Sequence, residues 1–490
     1  MSPTSQRSES DSIGPILLPA DAYHGIHTAR ARDNFPISGV TLSRYPDFVA
    51  ALAAVKQAAA QANQALGLLD VGRAAAIVAA CEEIRAGRLH DSFIVDMIQG
   101  GAGTSTNMNA NEVIANRALE LVGRRPGDYA YLHPLEHVNL SQSTNDTYPT
   151  AIKVALQSQI SRLRDTLIRL AEAFRAKAHQ FRGYLKMGRT QLQDAVPMTL
   201  GQEFGTYAVM VSEDAERLLE ARLLVSEINL GGTAIGTGLN APAGYADLVC
   251  RELRGITGFR LSTAADLVEA TQDVGAFVQL SGVLKRTALK LSKICNDLRL
   301  LSSGPRAGFN EINLPAVQAG SSIMPGKVNP VIPEVVNQVA FQVVGNDVTV
   351  SMAAEAGQLQ LNAFEPIIAY SLFTSLTHLE AACSTLIDNC VVGITANAEG
   401  LYESVLNSIG VITALNPHIG YAAGARIAKL ALESGRTVSD LVVEQKLLSQ
   451  AAVGALLRPE AFMAVEHGAS ATSSRDVADD GQAGLVTAPG

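Results

Sequence analysis

The chain has 490 residues and a formal net charge of −9, and 47% of its residues are hydrophobic but only 5% aromatic. A chain of this length is too long to fold around one ordinary hydrophobic core, so we expect about two to four domains or one elongated helical body. The negative charge argues against nucleic acid or an anionic membrane as the main partner. No apolar run approaches the roughly 20 residues that span a bilayer. The five scattered cysteines show no metal-binding spacing, which favours reduced thiols in a cytoplasmic protein.

Composition divides the chain into regions. Residues 1–12 and 468–490 are rich in small and polar residues, which predicts disordered tails. Residues 13–142 mix short helical stretches with Gly-rich loops, residues 143–396 carry long helical patterns, and residues 397–467 carry shorter ones. The sequence therefore predicts an all-α protein of three domains between two tails.

Two apolar stripes within residues 143–396 have the spacings of three, four or seven residues that are typical of long packed helices. The stripes are Leu156, Ile160, Leu163, Leu167, Leu170, Phe174 and Phe181, and Val274, Phe277, Ser281, Leu284, Ala288, Leu291, Cys295 and Leu298. Residues 334–357 are Val-rich, but their Glu, Gln and Ala content favours a helix over a strand. Helices with such stripes need partner helices, which favours burial between the subunits of a homo-oligomer.

Two polar segments each precede a helical pattern. In Gly100–Glu112, residues Thr104 to Thr106 can present hydroxyls and N–H groups to an anion, although a plain N-cap is the commoner cause of such a local pattern. In His133–Thr150, the run Ser143, Thr144, Asn145 leads into the long helix and suits a carboxylate at its N-terminus. The two histidines of that segment, His133 and His137, suggest a metal site only weakly, because the proline between them disfavours one helical face.

The next two polar segments lie between helical patterns. Met187–Phe204 is predicted to be a polar turn, in which Thr190 and Gln191 offer uncharged hydrogen-bonding groups to a substrate. Gly231–Asn240 lacks the spacing of a dinucleotide or phosphate loop, so it is interpreted as a tight connection between helices.

The segment Gly320–Pro330 reads GSSIMPGKVNP. Its glycines and prolines can shape a loop that aims Ser321, Lys327 and Asn329 at one small anion, and they would also suit an ordinary surface turn. This string resembles the signature loop of the aspartase/fumarase superfamily. The segments above resemble the superfamily's other motifs, in order, over about residues 14–465, beginning with DAYHGIHTARARDNFPIS at residues 21–38.

Within the superfamily, several motifs resemble aspartate ammonia-lyases more than fumarases. GRTQLQDAVPMTLGQEF carries Gln191 where fumarases have His, and IPEVVNQVAFQVVGND and EAGQLQLN also resemble the ammonia-lyases. HPLEHVN and Gly326 are acceptable in fumarases, and Leu135-Glu136 fits neither enzyme's usual version.

The resemblance implies an all-helical homotetramer with a multi-helix bundle and active sites shared by three subunits. It implies deamination of L-aspartate to fumarate and ammonia through an enediolate. In this numbering, Ser321 matches the general base, and Lys327 and Asn329 would hold the α-carboxylate. Thr104, Ser143 and Thr144 would hold the β-carboxylate, Asn145, Thr190 and Gln191 would surround the amino group, and Arg30 would be a carboxylate contact or lie one layer behind it.

Two alternatives remain at this level. A class II fumarate hydratase would use water as the leaving group, and Gln191 argues against it. A catalytically silent relative would be expected to lack Ser321, Lys327 or Asn329, which are all present. The chemistry needs no cofactor, and the sequence shows no clear metal-ligand cluster, although an activating divalent cation is compatible with the resemblance.

Overall fold

The computed structural model describes residues 6–463. Contacts divide the chain into two compact units, Met1–Lys177 with Phe204–Ala396, and Ala178–Glu203 with Asn397–Gly490. The predicted three-domain division stays a prediction. Residues 178–203, which it assigned to the central domain, group here with the C-terminal residues.

Helices dominate both units, and the all-α fold class is confirmed. The helices within residues 6–463 are α1 Ile26–Asn34, α2 Pro46–Ala65, α3 Val71–Arg85, α4 Thr104–Leu121, α5 Thr144–Gln180, α6 Leu200–Leu224, α7 Tyr245–Thr257, α8 Leu267–Gln272, α9 Gly275–Leu301, α10 Val331–Glu355, α11 Glu365–Asn389, α12 Ala398–Asn407, α13 Ile412–Ile419, α14 Tyr421–Ser434, α15 Val438–Glu444, α16 Gln450–Leu456 and α17 Pro459–Met463.

The strands are short and pair only in twos within the described residues. They are β1 Gln6–Asp11, β2 Gly14–Pro19, β3 Leu185–Thr190, β4 Gln193–Thr199, β5 Glu227–Ile228, β6 Ser262–Thr263, β7 Ile312–Asn313 and β8 Thr395–Ala396. The pairs β1–β2, β3–β4 and β7–β8 are antiparallel and β5–β6 is parallel.

The two apolar stripes form the buried faces of α5 and α9, as predicted. Leu156, Leu163 and Leu170 of α5 are completely buried. The Val-rich segment is helix α10, which confirms the prediction, and it packs against α9 and α11. Long helices with one apolar face gain most of their stability from packing against other elements, and this packing forms part of the core of the first unit.

The prediction of a disordered N-terminal tail over residues 1–12 is wrong for residues 6–11, which form β1. The polar side chains of this strand make the contacts that hold it. Arg7 donates to the carbonyls of Pro19, Ala20, Ala22 and His24, and Glu9 accepts the N–H of Ile26 at 2.8 Å. Composition alone counted these residues as solvated. The predicted tail at 468–490 lies outside the described residues.

In the second unit, the segment predicted as a polar turn is a β-hairpin, so that prediction is wrong. Gln191 and Leu192 form its tip with φ of 54° and 62°. Leu185 and Met187 of β3 pack into the core of this unit against side chains that include Val405 and Leu415. The apolar residues of β3 therefore have a buried face to cover, which a solvated turn would not offer.

Candidate active site

The first candidate segment is the start of α5. Ser143 caps the helix, because its Oγ accepts the N–H of Asn145 at 3.3 Å while its own N–H donates to Asp146 Oδ1 at 3.0 Å. The bond from Ser143 N–H to the side chain three residues further on is one half of a capping box, while Ser143 Oγ accepts the N–H of Asn145 and not that of Asp146. Ser143, Thr144 and Asn145 are each partly exposed, so the first turn of α5 presents two hydroxyls and an amide at the surface of the unit.

Asp146 anchors this turn from the inside. Its side chain is completely buried, and its Oδ2 accepts the N–H groups of Gly231 at 3.0 Å and Thr233 at 2.9 Å. Burial raises the pKa of Asp146, while these N–H groups and the charge of Lys56 oppose the rise. The Gly-rich connection predicted at residues 231–240 is therefore fastened to the start of α5 by one carboxylate.

The second segment is the start of α4, where Thr104 is exposed. Gly103, the residue before it, has φ of 89° and ψ of 7° and lies against the ring of Tyr148 on α5. Thr106 points inward, because its N–H and its hydroxyl both donate to Gln99 Oε1 at 3.0 Å. Thr104 thus faces outward, and the Gly103–Tyr148 contact holds it beside α5.

The third segment is the loop Gly320–Pro330 in the first unit. It is closed by the N–H of Gly320, which donates to the carbonyl of Lys327 at 2.9 Å. Within it, Ser321 Oγ accepts the N–H groups of Ile323 at 3.2 Å and Met324 at 3.0 Å. Two N–H dipoles aimed at one hydroxyl oxygen favour negative charge on that oxygen.

The two other predicted ligands of the loop are placed differently. Lys327 is exposed, and Asn329 is half-buried with its Nδ2 donating to the Gly320 carbonyl at 2.5 Å. Both side chains lie within nine residues of Ser321 and share its loop. Their predicted carboxylate contacts stay predictions.

Thr190 and Gln191 lie at the tip of the β3–β4 hairpin in the second unit, and both side chains are exposed. The hairpin register opposes Thr190 to Gln193. A two-residue turn with positive φ at both central positions matches the twist of the strands and makes the tip a defined platform.

Arg30 has a structural partner. Its guanidinium makes a bidentate ion pair with Asp11 at 2.8 and 2.9 Å and donates to the Gly14 carbonyl at 2.8 Å. The hydrogen bond from Arg30 holds the pKa of Asp11 at about 2. Arg30 therefore fastens the β1–β2 turn to α1, and its predicted substrate contact stays a prediction.

The two histidines considered as metal ligands support a turn. His133 Nδ1 accepts the N–H groups of Leu135 and Glu136, and His137 Nδ1 accepts the N–H of His133 at 2.8 Å. They stabilise the short π-helical segment Pro134–Val138. Across residues 6–463, no group of three or more His, Cys, Asp or Glu side chains is placed to hold a metal.

Within residues 6–463, the fold brings the starts of α4 and α5 together, because Asn107 of α4 donates to Thr144 Oγ1 at 3.1 Å. No hydrogen bond or ion pair in that part of the chain joins the Ser321 loop to Thr104 or to residues 143–145. Asp146 was not predicted from the sequence, although its spacing from Ser143 is that of a capping box. Lys56 and Asn107 were not predicted either, because no local pattern gives a signal for them.

Comparison with known proteins identifies the class. A lyase family model matches residues 14–345, and a model of the fumarase C C-terminus matches residues 411–464. The chain belongs to this lyase family, the aspartase/fumarase superfamily. The resemblance stated from the motifs is confirmed.

The chain is similar to individual members of this superfamily over most of its length. The aspartate ammonia-lyase of Pseudomonas aeruginosa is 60% identical over 466 residues, which cover 95% of this chain and 98% of that protein. Among solved structures, the fumarate lyase:delta crystallin of Brucella melitensis bound to cobalt has a TM-score of 0.91 and 56% identity, covering 93% of this chain and 99% of that one. The class II fumarase of Schistosoma mansoni has a TM-score of 0.88 at 35% identity, covering 95% and 100%.

Proposed function

We propose that this protein catalyses the reversible deamination of L-aspartate to fumarate and ammonia. The similarity to aspartate ammonia-lyases, such as the Escherichia coli protein at 54% identity over 91% of this chain, supports this substrate. The observation in the structure that carries the proposal is the pair of N–H groups directed at Ser321 Oγ. A serine needs such help before it can act as a general base.

In the proposed reaction, Ser321 removes a proton from the β-carbon of aspartate and ammonia leaves from the α-carbon on the opposite face. A serine hydroxyl is normally too weak an acid to be deprotonated near neutral pH. The two loop N–H groups stabilise the alkoxide, and Lys327 on the same loop adds a positive charge. Gly320 allows this loop to close, since a Cβ there would lie 2.4 Å from the Lys327 carbonyl oxygen.

The β-carboxylate has to accept the second negative charge as an enediolate. Thr104, Ser143 and Thr144 at the starts of α4 and α5 offer hydroxyls, and the helix N-termini add N–H dipoles. One preorganised donor of this kind is typically worth about 3 kcal/mol in the transition state. We assign the amino-group side to Asn145, with Thr190 and Gln191.

We further propose that the enzyme is a homotetramer whose active sites combine residues of three subunits. The described chain supports this, because no hydrogen bond within residues 6–463 links the Ser321 loop to the carboxylate-binding turns. Helix α10 also exposes a row of apolar side chains, Phe341 at 65%, Val348 at 59% and Met352 at 66%. Their spacing of seven and four residues forms one face that packing against another helix would bury.

We infer that this chemistry runs without a cofactor and that the protein works in the cytoplasm without nucleic acid or membrane as a partner. All five cysteines are free and buried, which suits a reducing compartment. No helix in the described part of the chain is long and apolar enough to cross a membrane. The net charge of −9 does not suit a nucleic-acid surface.

The test is fumarate formation, followed by ultraviolet absorbance, from L-aspartate and separately from L-malate. Ser321→Ala should lower kcat by about 10²- to 10⁴-fold, the usual contribution of a general base. The matched control is Ser322→Ala, the exposed neighbour on the same loop, which should keep kcat within a few fold.

Turnover of L-malate alone would reject the ammonia-lyase and establish a hydratase instead. If Ser321→Ala keeps kcat within a few fold, as Ser322→Ala should, Ser321 is not the base, even if aspartate remains the substrate.

A further inference from the structure

A buried chain of hydrogen bonds runs from a lysine to a predicted substrate ligand. Lys56 of α2 is completely buried, and its Nζ donates to Asn139 Oδ1 and Gln142 Oε1, each at 2.9 Å. Asn139 Oδ1 also accepts Asn107 Nδ2 at 3.1 Å. The same Asn107 Nδ2 donates to Thr144 Oγ1 at 3.1 Å. Lys56 is therefore connected to Thr144 through two amide side chains.

Lys56 fixes which atoms donate and which accept along this series of hydrogen bonds. An ammonium group can only donate, so Asn139 and Gln142 must turn their oxygens toward Lys56. Burial lowers the pKa of Lys56 to about 7, an effect that the charge of Asp146 opposes. A neutral amine still carries two N–H donors, which are enough for both amide oxygens. Asn139 is held in the same orientation by its Nδ2, which donates to the Gln142 carbonyl at 3.3 Å.

The orientation of Asn139 in turn fixes the orientation of the Asn107 side-chain amide. If its amide were turned over, its oxygen would face Asn139 Oδ1 at about the present 3.1 Å, and two acceptors would oppose each other. Asn107 is 98% buried, so water cannot easily compensate such a reversal. Its Nδ2 must therefore face Thr144, whose Oγ1 becomes an acceptor inside the protein.

The proton of the Thr144 hydroxyl is then left for a group other than Asn107. A hydroxyl carries a single proton, and no bond donated by Thr144 Oγ1 is found within residues 6–463. Thr144 is partly exposed at the start of α5, so this proton is directed to a group outside the buried chain. A carboxylate accepts hydrogen bonds and cannot donate them.

We propose that Lys56 and Asn107 are positioning residues that hold the Thr144 hydroxyl as a hydrogen-bond donor toward the substrate carboxylate. The inference rests on the proposed function for the location of that carboxylate, because Thr144 is a predicted ligand. Lys56 and Asn107 do not touch the substrate in this scheme. They act by keeping Thr144 Oγ1 an acceptor inside the protein, so that its hydroxyl proton is not donated to a protein group.

The test is a double-mutant cycle of Asn107→Leu and Thr144→Val in the full-length protein. Each single variant should lower kcat/KM by about 100-fold, as the loss of one preorganised donor does. The double variant should be no worse than Thr144→Val alone, because Asn107 acts through Thr144. The loss should appear mainly in kcat, since the donor is most effective when charge builds up on the carboxylate.

Asn111→Leu is the matched control. Asn111 is completely buried one turn further along α4, and its Nδ2 donates to the same Asn139 Oδ1 at 3.2 Å, but it makes no bond to Thr144. Its replacement should change kcat/KM by only a few fold. If Asn107→Leu does not fold, Lys56→Met tests the same path from its other end, and its effect should likewise vanish in the Thr144→Val background.

Additive losses for Asn107→Leu and Thr144→Val, or an equal loss in Asn111→Leu, would overturn the inference while leaving the proposed function in place. If the wild type converts L-malate and not L-aspartate, the proposed function fails and the same cycle is measured with malate. If neither substrate turns over, the cycle is measured as the Kd of fumarate by calorimetry. The losses should then be smaller, because the bound carboxylate carries no extra charge, but still non-additive, and additive losses refute the inference.

Discussion

Gly103 is the position where a single methyl group tests how the starts of α4 and α5 are held together. It precedes Thr104 with φ of 89°, and a Cβ added there would lie 2.4 Å from Tyr148 Cγ. The ring cannot easily withdraw, because Tyr148 is completely buried and packs edge-on against Phe48 at 5.7 Å between centroids. We therefore expect Gly103→Ala to force the start of α4 away from α5.

Two contributions set the magnitude. A residue with a Cβ in the left-handed region costs roughly 1–2 kcal/mol, and overpacking a rigid core adds about 1–3 kcal/mol. Gly103→Ala should therefore lower the free energy of unfolding by about 2–5 kcal/mol. It should also lower kcat/KM by about 100-fold, since displacements near 1 Å have effects of that size in active sites.

The assay is urea unfolding at one fixed protein concentration, with kcat/KM for L-aspartate measured on the same samples. Gly123→Ala is the matched control at the other end of α4, because Gly123 has φ of 77° and nothing within 4 Å of an added Cβ. It should show only the backbone contribution, roughly 1–2 kcal/mol, with unchanged kcat/KM. If Gly103→Ala is no more destabilising than Gly123→Ala, the ring contact does not hold the two turns together.

Three further predictions concern the first unit. Burial raises the pKa of Glu365 to about 8, so between about pH 4.5 and 8 the folded chain keeps a proton that the unfolded chain releases, and the free energy of unfolding falls as pH rises through that range. In urea unfolding, the free energy of unfolding of Glu365→Gln should fall less than that of the wild type between about pH 5 and 8. A pH dependence equal to that of the wild type would contradict this. The Tyr148 hydroxyl is buried without a hydrogen-bond partner in the described residues, so Tyr148→Phe should leave the thermal midpoint unchanged or raise it, and a clear decrease would reveal a missed partner. Gly320→Ala should lower kcat/KM by about 100-fold with little change in the thermal midpoint, because the added Cβ opens a surface loop and not the core, and retained activity would show that loop closure is not needed.

Local sequence patterns predicted much of this molecule. The stripes of α5 and α9 were readable because a helix repeats every 3.6 residues, and their leucines are buried as expected. The glycines and prolines of the Ser321 loop also suit a surface turn, and the resemblance to the aspartase/fumarase superfamily is what singled out Ser321. Ser143, Thr144 and Asn145 were found because a helix start has its own residue preferences.

Other predictions failed where distant residues decide the structure. The residues of β1 look like a solvated tail, yet Arg7 and Glu9 fasten the strand to carbonyls and N–H groups up to 17 residues away. The turn around Gln191 is a hairpin because Leu185 and Met187 have an apolar core to cover. Neither set of contacts produces a periodic pattern in the local sequence.

The sequence by itself determined the helices, their buried faces and the identity of the chemical groups, because these depend on residues a few positions apart. Only the tertiary structure decided how those groups are aimed. Lys56 reaches Asn139 across 83 positions of the chain, and Asn107 reaches Thr144 across 37. The direction of each hydrogen bond there follows from which donors and acceptors the packing brings together, and that is a property of the folded chain.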